Sequence, residues 1–361
     1  MRYFYRFAAV LVLLTFAGAY SAFAQCGGPA DIGNVLAWFR ADSNVTMASN
    51  NSNVLVWRDL SGNGFDAYAP STTDSQPTRV TSCVMNNKPV INFANSTAPG
   101  KQMFKGHDSL PISHSSFTVF IVAMGNAQSA SRYTGGLLKC GTITNGLWLY
   151  RRLTDQSFVF LNNYNTDANA YISSPTMPNA GFAFNVWSVR KTYGVKGEIF
   201  EDGALQVSST YSKLVGPFTN AQFFIGNTQN IAGFDNFNGQ IAEIIIFNRA
   251  LSDSEMLCVN TYLHNRYVPP VNLGPDINES YRLCADTLRP SNCYSTYQWS
   301  TGSTASFIRV TQSGTYSLTA TDVFGRTSAD TINVAIPRVV LNTAVNLTIC
   351  QGTPLTMSPQ M

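Results

Sequence analysis

The fold of the chain is decided by two stretches: LAWFRADSNV at residues 36–45, continued by VLVWRDLSGNG at residues 54–64, and NGQIAEIIIFNRALSDSE at residues 238–255. The first holds short apolar runs with Trp residues and ends in a Gly-rich turn. In the second, Ile241–Phe247 is an apolar run of strand length, and the SDSE that follows has the spacing of a helix capping box. We expect the second stretch to form a closing strand followed by one helix.

Both stretches resemble laminin G-like, concanavalin A-like jelly-roll domains, the first their opening and the second their closing strand and trailing helix. Between them lie short runs rich in aromatic and β-branched residues, separated by Gly, Asn, Pro and Ser, as in antiparallel sandwiches. We therefore predict an all-β protein in which residues 25–268 form an antiparallel jelly-roll sandwich. Trp38, Trp57 and Trp187 are assigned to its core. The helix is expected to bury one apolar stripe, made of Met256, Val259, Leu263 and Tyr267.

A second, smaller domain is predicted at residues 269–337, after the Pro269-Pro270 break. Its segments YQWSTG (297–302) and SGTYSLTATDVFG (313–325) resemble the immunoglobulin-like and PKD-like repeats of large secreted bacterial surface proteins of the Bacteroidetes type. The resemblance implies a smaller immunoglobulin-like β-sandwich with Trp299 in its core. Tyr316 would be the corner tyrosine, whose hydroxyl ties the chain back on itself.

Residues 338–361 resemble the start of this domain, since the Cys-x-x-Thr at Cys350 aligns with that at Cys284. We interpret them as the truncated start of a second repeat. Further repeats of the same polypeptide are expected downstream.

The first 24 residues predict a signal peptide. Arg2 and Arg6 precede the apolar run Phe7–Tyr20, and Ala22-Phe23-Ala24 supplies the small residues of a cleavage site. No later apolar run is long enough to span a bilayer. The mature protein is predicted to be secreted or extracellular, with attachment to the cell surface as an alternative.

The charge of the chain argues against a nucleic-acid partner. Loss of the two signal-peptide arginines lowers the formal net charge from +3 to +1. Lys and Arg form no basic stripe, and the longest basic run in the mature chain is Arg151-Arg152.

Seven cysteines in an exported chain predict disulfides with one cysteine left over. Four lie in the first domain and allow three pairings: Cys26, Cys83, Cys140 and Cys258. The related repeats commonly carry a cysteine after the turn glycine, but here Arg326 follows Gly325. The resemblance therefore leaves Cys293 as the partner of Cys284 within the second domain.

No catalytic pair of carboxylates is found. Retaining glycosidases need two carboxylates about 5 Å apart, whereas the apolar strand 241–247 offers Glu243 alone, expected on the solvent face or paired with an arginine. Glu201-Asp202 precedes Gly203 and indicates a hairpin tip. The chain is predicted not to be an enzyme.

One turn is a candidate calcium site. Asp59, Ser61 and Asn63 occupy the first, third and fifth positions of a calcium loop, Gly64 the sixth, and Asp66 follows. Pro70 stands where the bidentate glutamate of an EF-hand is needed, so further ligands would have to come from elsewhere. The alternative is a tight turn in which these side chains bond their own backbone.

Ligand binding is expected to use aromatic residues, because sugar C–H faces pack on aromatic rings. Alternation along the strand at residues 147–152 places Trp148, Tyr150 and Arg152 on one face. Tyr164 and Tyr171 lie in the Asn-rich region that follows. The alternative is that Trp148 belongs to the sheet core and the tyrosines to ordinary half-buried surface.

The leading hypothesis is a non-catalytic extracellular binding or adhesion module that recognises a glycan, or an extracellular protein, within a larger secreted or cell-surface protein. An alternative is the binding module of a secreted glycan-degrading enzyme whose catalytic domain lies outside this chain. A ligand-free structural spacer is the third hypothesis.

Overall fold

The computed structural model describes most of the chain between residues 27 and 336. The described ranges are 27–49, 52–70, 76–93, 104–125, 133–141, 146–152, 157–162, 171–175, 183–211, 214, 222–226, 237–278 and 285–336. The predicted signal peptide, Tyr164 and the predicted start of a second repeat lie outside them.

The two stretches that bracket the large domain pair directly with each other, because β1 (Val35–Arg40) runs antiparallel to β17 (Gly239–Phe247). Both belong to an eight-stranded sheet in which β1 pairs with β17 beside the main path. The main path of this sheet is, in spatial order, β15 (Ala204–Ser209), β14 (Lys196–Glu201), β13 (Asn185–Thr192), β8 (Phe117–Gly125), β17, β6 (Lys88–Phe93) and β5 (Thr78–Ser82).

A nine-stranded sheet packs against the eight-stranded sheet. Its spatial order is β12 (Tyr171–Ser173), β11 (Phe158–Asn162), β10 (Gly146–Arg152), β9 (Tyr133–Gly141), β16 (Gln222–Ile225), β7 (Phe104–Ser109), β4 (Ala67–Tyr68), β3 (Val54–Trp57) and β2 (Val45–Met47). Its strand pairs are antiparallel. An antiparallel β-sandwich, as predicted, is therefore the framework of the large domain.

Burial along β17 explains why its sequence is almost continuously apolar. Ile244 and Ile246 contribute to the cluster between the two sheets, whereas Ile245 and Phe247 belong to a second cluster on the outer side of the eight-stranded sheet. A strand buried on both faces loses the usual alternation of apolar and polar residues. The predicted closing strand thus lies in the middle of its sheet.

The outer side of the eight-stranded sheet is covered by α2 (Asp253–Tyr267), the long helix after β17; a short helix, α1 (Pro29–Ile32), precedes β1. The predicted capping box is present, because the Ser252 hydroxyl accepts from the Glu255 N–H and the Glu255 carboxylate accepts from the Ser252 N–H. The predicted stripe is buried as well: Met256, Val259, Leu263 and Tyr267. In the described residues, no helix is long and apolar enough to cross a membrane.

The small domain contains two sheets. One has four strands in the order β18 (Ile277–Asn278), β23 (Thr327–Ala335), β22 (Gly314–Thr321) and β20 (Thr296–Trp299), and the other pairs β19 (Asp286–Leu288) with β21 (Ile308–Val310). Trp299 is buried, as predicted. The Tyr316 hydroxyl donates to the Gln312 carbonyl oxygen at 2.9 Å, so this tyrosine ties its own chain back as predicted.

The two domains are joined by a disulfide that differs from the predicted pairing. Cys293 of the small domain bonds Cys83, in a 3-10 turn between β5 and β6, with a Cα–Cα distance of 5.6 Å. The expected pairing of Cys293 with Cys284 is therefore wrong. Cys258 is also disulfide-bonded, and Cys140 is a buried free thiol. The bond spans 210 residues, a distance in sequence that local motifs do not reveal.

Noncovalent contacts join the same two domains. The Tyr294 hydroxyl donates to the Pro269 carbonyl oxygen at 3.0 Å, and the Arg326 guanidinium donates to the Val268 carbonyl oxygen at 2.9 Å. The rings of His264 and Phe324 lie with their centres 4.7 Å apart. The buried apolar cluster on this side continues from α2 into the small domain as far as Trp299. The helix is thus enclosed between the eight-stranded sheet and the small domain.

Trp57 and Trp187 are buried between the sheets, as expected. Trp38 differs from the expectation, since it is half-buried and packs at the side of the outer cluster instead of in the central core. Its indole N–H donates to a Glu243 carboxylate oxygen at 2.6 Å. The buried Glu243 carboxylate accounts for the position of Trp38, because a tryptophan N–H that is removed from water usually needs an acceptor.

Candidate functional site

The outer face of the nine-stranded sheet carries the predicted aromatic residues. On β10, Leu147 and Leu149 face the core between the sheets. Trp148, Tyr150 and Arg152 occupy the alternate positions and face outward, because successive side chains of a strand point to opposite sides. Trp148 and Tyr150 pack into a separate outer cluster with residues of the two neighbouring strands toward the sheet edge.

Tyr171 joins this group from β12. It packs against the outer cluster, and the guanidinium carbon of Arg152 lies 5.2 Å from the centre of its ring. Such a distance is within the range of a cation–π contact. The structure therefore brings together Trp148, Tyr150, Arg152 and Tyr171, while Tyr164 lies outside the described residues.

The exposure of these side chains is uneven. Tyr150 is buried, with 9% of its surface exposed. Trp148, Arg152 and Tyr171 are half-buried. The face is thus a partly enclosed aromatic surface, and it differs from a flat, open platform.

Lys139 is a member of this face that sequence reasoning missed. It lies on β9, directly opposite Trp148, and is 3% exposed. Its ammonium nitrogen is 5.2 Å from the centre of the Trp148 ring and 5.7 Å from that of Phe224. A lysine inside the apolar run Leu137–Cys140 was the signal in the sequence, because lysine is almost never fully buried without a stabilising contact.

The candidate calcium turn is held by hydrogen bonds to its carboxylates. Asp59 Oδ1 accepts from the backbone N–H groups of Trp38 and Ser61, and its Oδ2 accepts from the Ser61 hydroxyl and the Phe65 N–H. Asp66 accepts from the Asp59 N–H and from the Arg58 guanidinium. These oxygens face N–H and O–H donors.

Asn63 points its amide nitrogen at the carbonyl oxygens of Val35 and Leu36. The donor-rich surroundings of Asp59 and Asp66 do not fit the ligand shell of a cation and favour the alternative of a side-chain-bonded turn. Within the described residues, no group of three or more His, Cys, Asp or Glu side chains is placed to hold a metal. Calcium binding by Asp59, Ser61, Asn63 and Asp66 stays a prediction.

We expect Asp59→Ala to lower the free energy of unfolding by about 2–3 kcal/mol, because several N–H donors lose their acceptor at once. The loss should be the same in EDTA and in calcium chloride, measured by urea denaturation. Asp108→Ala, an exposed carboxylate on β7, serves as control and should change stability by less than about 0.5 kcal/mol. A melting temperature that rises with calcium in the parent chain but not in Asp59→Ala would support a bound ion.

The acidic residues of the eight-stranded sheet are engaged in internal contacts. Glu198 pairs with Arg190 and with Lys196, each at 2.7 Å. Glu201 accepts from the Asn185 amide at 2.9 Å, and burial raises its pKa to about 7, helped by the neighbouring Asp202. Asp202 and Gly203 have positive φ angles between β14 and β15, so the predicted hairpin tip is confirmed.

Glu243 is fully buried, whereas one of the two expectations placed it on the solvent face of its strand. Besides Trp38, its carboxylate accepts from the Tyr267 hydroxyl at 2.8 Å and lies 3.4 Å from the Arg266 guanidinium. The arginine pairing expected as the other possibility is therefore present. Burial raises the pKa of this carboxyl to about 7, against the lowering effect of the Trp38 and Tyr267 hydrogen bonds. These contacts tie β1, β17 and α2 together.

A protein-family model confirms the class of the large domain. The model Laminin_G_3, described as the concanavalin A-like lectin/glucanases superfamily, matches residues 102–256. The chain thus contains a laminin G-like, concanavalin A-like jelly-roll domain, and the four described aromatic-face residues lie inside the matched segment. A search of curated proteins found no match.

The chain is similar over part of its length to solved structures from several sources. Trypanosoma rangeli sialidase is 16% identical with a TM-score of 0.40, over 64% of this chain and 33% of that one. Domain 4 of AbnA, a GH43 extracellular arabinanase from Geobacillus stearothermophilus, solved with arabinotriose, is 13% identical with a TM-score of 0.44, over 64% and 98%. The binding domain of botulinum neurotoxin serotype D/C is 11% identical with a TM-score of 0.48, over 81% and 73%. This chain therefore spans about a third of the sialidase.

Proposed function

We propose that the chain is a non-catalytic, extracellular binding module that recognises a glycan through the outer face of its nine-stranded sheet. The observation that carries the proposal is the grouping of Trp148, Tyr150 and Arg152 on one face of β10 with Tyr171 beside them. Half-buried aromatic rings offer the flat apolar surface on which sugar C–H faces pack. Arg152 adds donors for hydroxyl or carboxylate oxygens.

The internal use of acidic residues supports a binding role without catalysis. Glu198 and Glu243 form ion pairs with arginines inside the fold, and the Glu201 carboxylate accepts from Asn185. A retaining glycosidase needs two carboxylates free to reach the same sugar. Release of reducing sugar from a β-glucan by the purified chain would contradict this part of the proposal.

An extracellular location follows from the same proposal. The predicted signal peptide and the disulfide between Cys83 and Cys293 are both typical of exported proteins. We propose further that the small domain is an immunoglobulin-like repeat that presents the jelly roll. Its buried Trp299 and the hydrogen bond of the Tyr316 hydroxyl to its own chain support this assignment.

The proposal is tested by screening the mature chain on a glycan array and measuring the best ligand by calorimetry. We expect Trp148→Ala to weaken binding at least about tenfold, since buried aromatic anchors dominate binding energy. Phe307→Ala removes an exposed aromatic ring from the small domain and should leave affinity unchanged.

Trp148→Phe keeps an aromatic ring at this position but removes the indole N–H, so it separates the contribution of the ring from that of the N–H. The indole N–H of Trp148 is buried and has no hydrogen-bond partner in the described part of the chain, so the change to Phe breaks no internal bond there. We expect Phe to retain most of the affinity that Ala loses. Absence of binding to any glycan, or equal affinity of the parent chain and Trp148→Ala, would contradict glycan recognition by this face.

A further inference from the structure

One strand of the small domain has an edge that no described strand covers. β21 pairs with β19 on one side, where Thr287 lies opposite Arg309. Within the described residues, no strand pairs with its other side. The backbone of residues 307–311 makes no hydrogen bond to other described elements besides this pairing. An edge of this kind presents unpaired N–H and C=O groups to an extended chain that lies beside it.

A cleft of about 450 Å³ borders the same strand. It is lined by residues 307–312 together with Thr301, Ser303 and Tyr316. Both faces of β21 contribute to the lining, since Ile308 is buried and Arg309 is exposed. Side chains of both faces meet only at the edge of a strand, and no residue of β19 lines the cleft. The cleft thus lies where one more strand could pair with β21.

The exposed face beside the cleft combines one aromatic ring with two cations. Phe307 is 50% exposed, and the guanidinium carbon of Arg289 lies 5.6 Å from the centre of its ring. Arg309 is exposed two residues further along and shares the face of Phe307, because side chains alternate along a strand. Neither arginine forms an ion pair with a described residue.

The acidic residues of the small domain do not neutralise these two arginines. Asp286 is the one described acid on β19 and β21, and it lies opposite Val310, on the face turned away from Arg309. Its carboxylate accepts from the Thr287 N–H. The remaining described acids of the small domain bond residues outside these two strands: Asp276, Asp322 and Asp330. Arg289 and Arg309 therefore have no described acidic partner on their own face.

We propose that the free edge of β21 binds an extended acidic segment of a partner protein, which adds a strand to the two-stranded sheet. In such an addition, the backbone groups of the segment pair with those of residues 307–311. A residue directly opposite Arg309 shares its face, so an Asp or Glu there accepts from the guanidinium. Two positions along the segment, an aromatic or β-branched residue packs on Phe307. This site lies in the small domain and does not depend on the proposed glycan-binding face.

Charge favours a partner protein over other occupants of the edge. Residues 337–361 of this chain contain Arg338 and no Asp or Glu, so they offer Arg309 no carboxylate. A second copy of the chain is disfavoured as well. Pairing of two β21 strands about a two-fold axis would bring the Arg309 side chains of both copies together, and like charges on neighbouring strands repel.

Fluorescence anisotropy of labelled peptides with the mature chain tests the proposal. The probe is Ser-Thr-Val-Glu-Val-Tyr-Ser, whose Glu and Tyr lie on one face of a strand. One control replaces Glu by Lys, and the other exchanges Glu with the Val that follows it, which turns the carboxylate to the opposite face. We expect the probe to bind at least about tenfold more tightly than the Lys peptide and about fivefold more tightly than the exchanged peptide. Equal or undetectable binding of all three would contradict the proposal.

N-methylation of single peptide amides tests for strand addition, because it removes one donor of the backbone ladder. In an added strand, alternate N–H groups point to β21 and the others point away from it. We expect methylation at alternate positions to abolish binding, and methylation at the positions between them to change the affinity by less than about twofold. Equal effects at every position would be inconsistent with pairing to a strand edge.

Variants of the mature chain assign binding to this face. Arg309→Gln should weaken binding of the probe about threefold to fivefold, as for one exposed ion pair, and should reduce its preference over the Lys peptide. Lys105→Gln, which removes an exposed cation from β7 of the large domain, is the matched control and should leave the affinity unchanged. Equal losses in the two variants would mean a general effect of charge and would overturn the site. Melting temperatures show whether both variants remain folded.

Hydrogen exchange of the mature chain locates the bound peptide. The probe should slow exchange at least about tenfold at those amides of residues 307–311 that point to the free edge. Slowed exchange elsewhere and none here would overturn the proposal. Slow exchange at these amides before peptide is added would assign the edge to this chain's own residues. Self-association that Arg309→Gln alters would assign it to a second copy, and either result would overturn the partner.

Discussion

Replacement of both Cys83 and Cys293 by serine is expected to lower the free energy of unfolding by about 3–5 kcal/mol. The bond closes a loop of 210 residues, and long loops gain the most from a cross-link because it restricts the unfolded chain. Replacing both residues avoids leaving a single reactive thiol. Urea denaturation of the parent and double variant gives the difference directly.

The same variant should also change the cooperativity of unfolding. With the disulfide present, the two domains are joined covalently both by the peptide linker and by the Cys83–Cys293 bond. Without it, they remain in contact through the hydrogen bonds of Tyr294 and Arg326, which are individually weak. We expect calorimetry to show two transitions in the double variant, where the parent chain shows one. A variant with the parent's midpoint and a single transition would mean that the disulfide adds nothing to the interface.

The second large effect is expected at Glu243. Glu243→Ala should cost about 3–5 kcal/mol, because it leaves the Trp38 and Tyr267 donors without their acceptor and removes one partner of Arg266. Glu243→Gln keeps the shape and one acceptor and should cost less than half as much. Equal stability of Glu243→Ala and the parent chain would contradict a structural role for this carboxyl.

The pH dependence of stability follows from the same site. The pKa of Glu243 is raised from 4.5 to about 7 by burial, although the hydrogen bonds from Trp38 and Tyr267 and the charges of Arg266 and Arg40 lower it. A carboxyl with a higher pKa in the folded state binds protons more tightly there. The contribution of Glu243 to the free energy of unfolding is therefore complete below pH 4.5 and is lost as the pH rises through 7.

A shift of one pKa unit corresponds to about 1.36 kcal/mol. The raised pKa of Glu243 therefore corresponds to a pH-dependent change in the free energy of unfolding on the order of 3 kcal/mol. Glu201 also has a pKa raised to about 7 by burial, so Glu201→Gln must be measured beside Glu243→Gln. We expect the difference in stability between the parent chain and Glu243→Gln to shift by about this amount between pH 5 and pH 8. A difference that stays constant over this range would contradict the raised pKa.

Local signals in the sequence predicted local structure well. The apolar run 241–247 became a strand, and the Ser252–Glu255 spacing became a capping box, because each depends on residues adjacent in the chain. The shared face of Trp148, Tyr150 and Arg152 followed from the alternation of a strand. The hydroxyl contact of Tyr316 was likewise within four residues.

The features that were missed depend on residues far apart in sequence. Cys293 has Cys284 nine positions away, yet it bonds Cys83 because the fold brings that turn to the small domain. Glu243 looked like a surface acid because an isolated strand has a solvent side, but α2 covers that side here. Lys139 joined the aromatic face through strand pairing with β10 and β16, which composition does not specify.

The cross-link between the two domains also has a mechanical consequence. A pull applied through the small domain has two routes into the jelly roll, the peptide linker at Val268–Val271 and the bond from Cys293 to Cys83. The linker leads to α2, a single helix packed on the outer side of the eight-stranded sheet. The sulfur bridge leads to the turn between β5 and β6, and β6 pairs in turn with β17 inside the eight-stranded sheet. Tension on the small domain is thus shared between the helix and the sheet and does not fall on α2 alone.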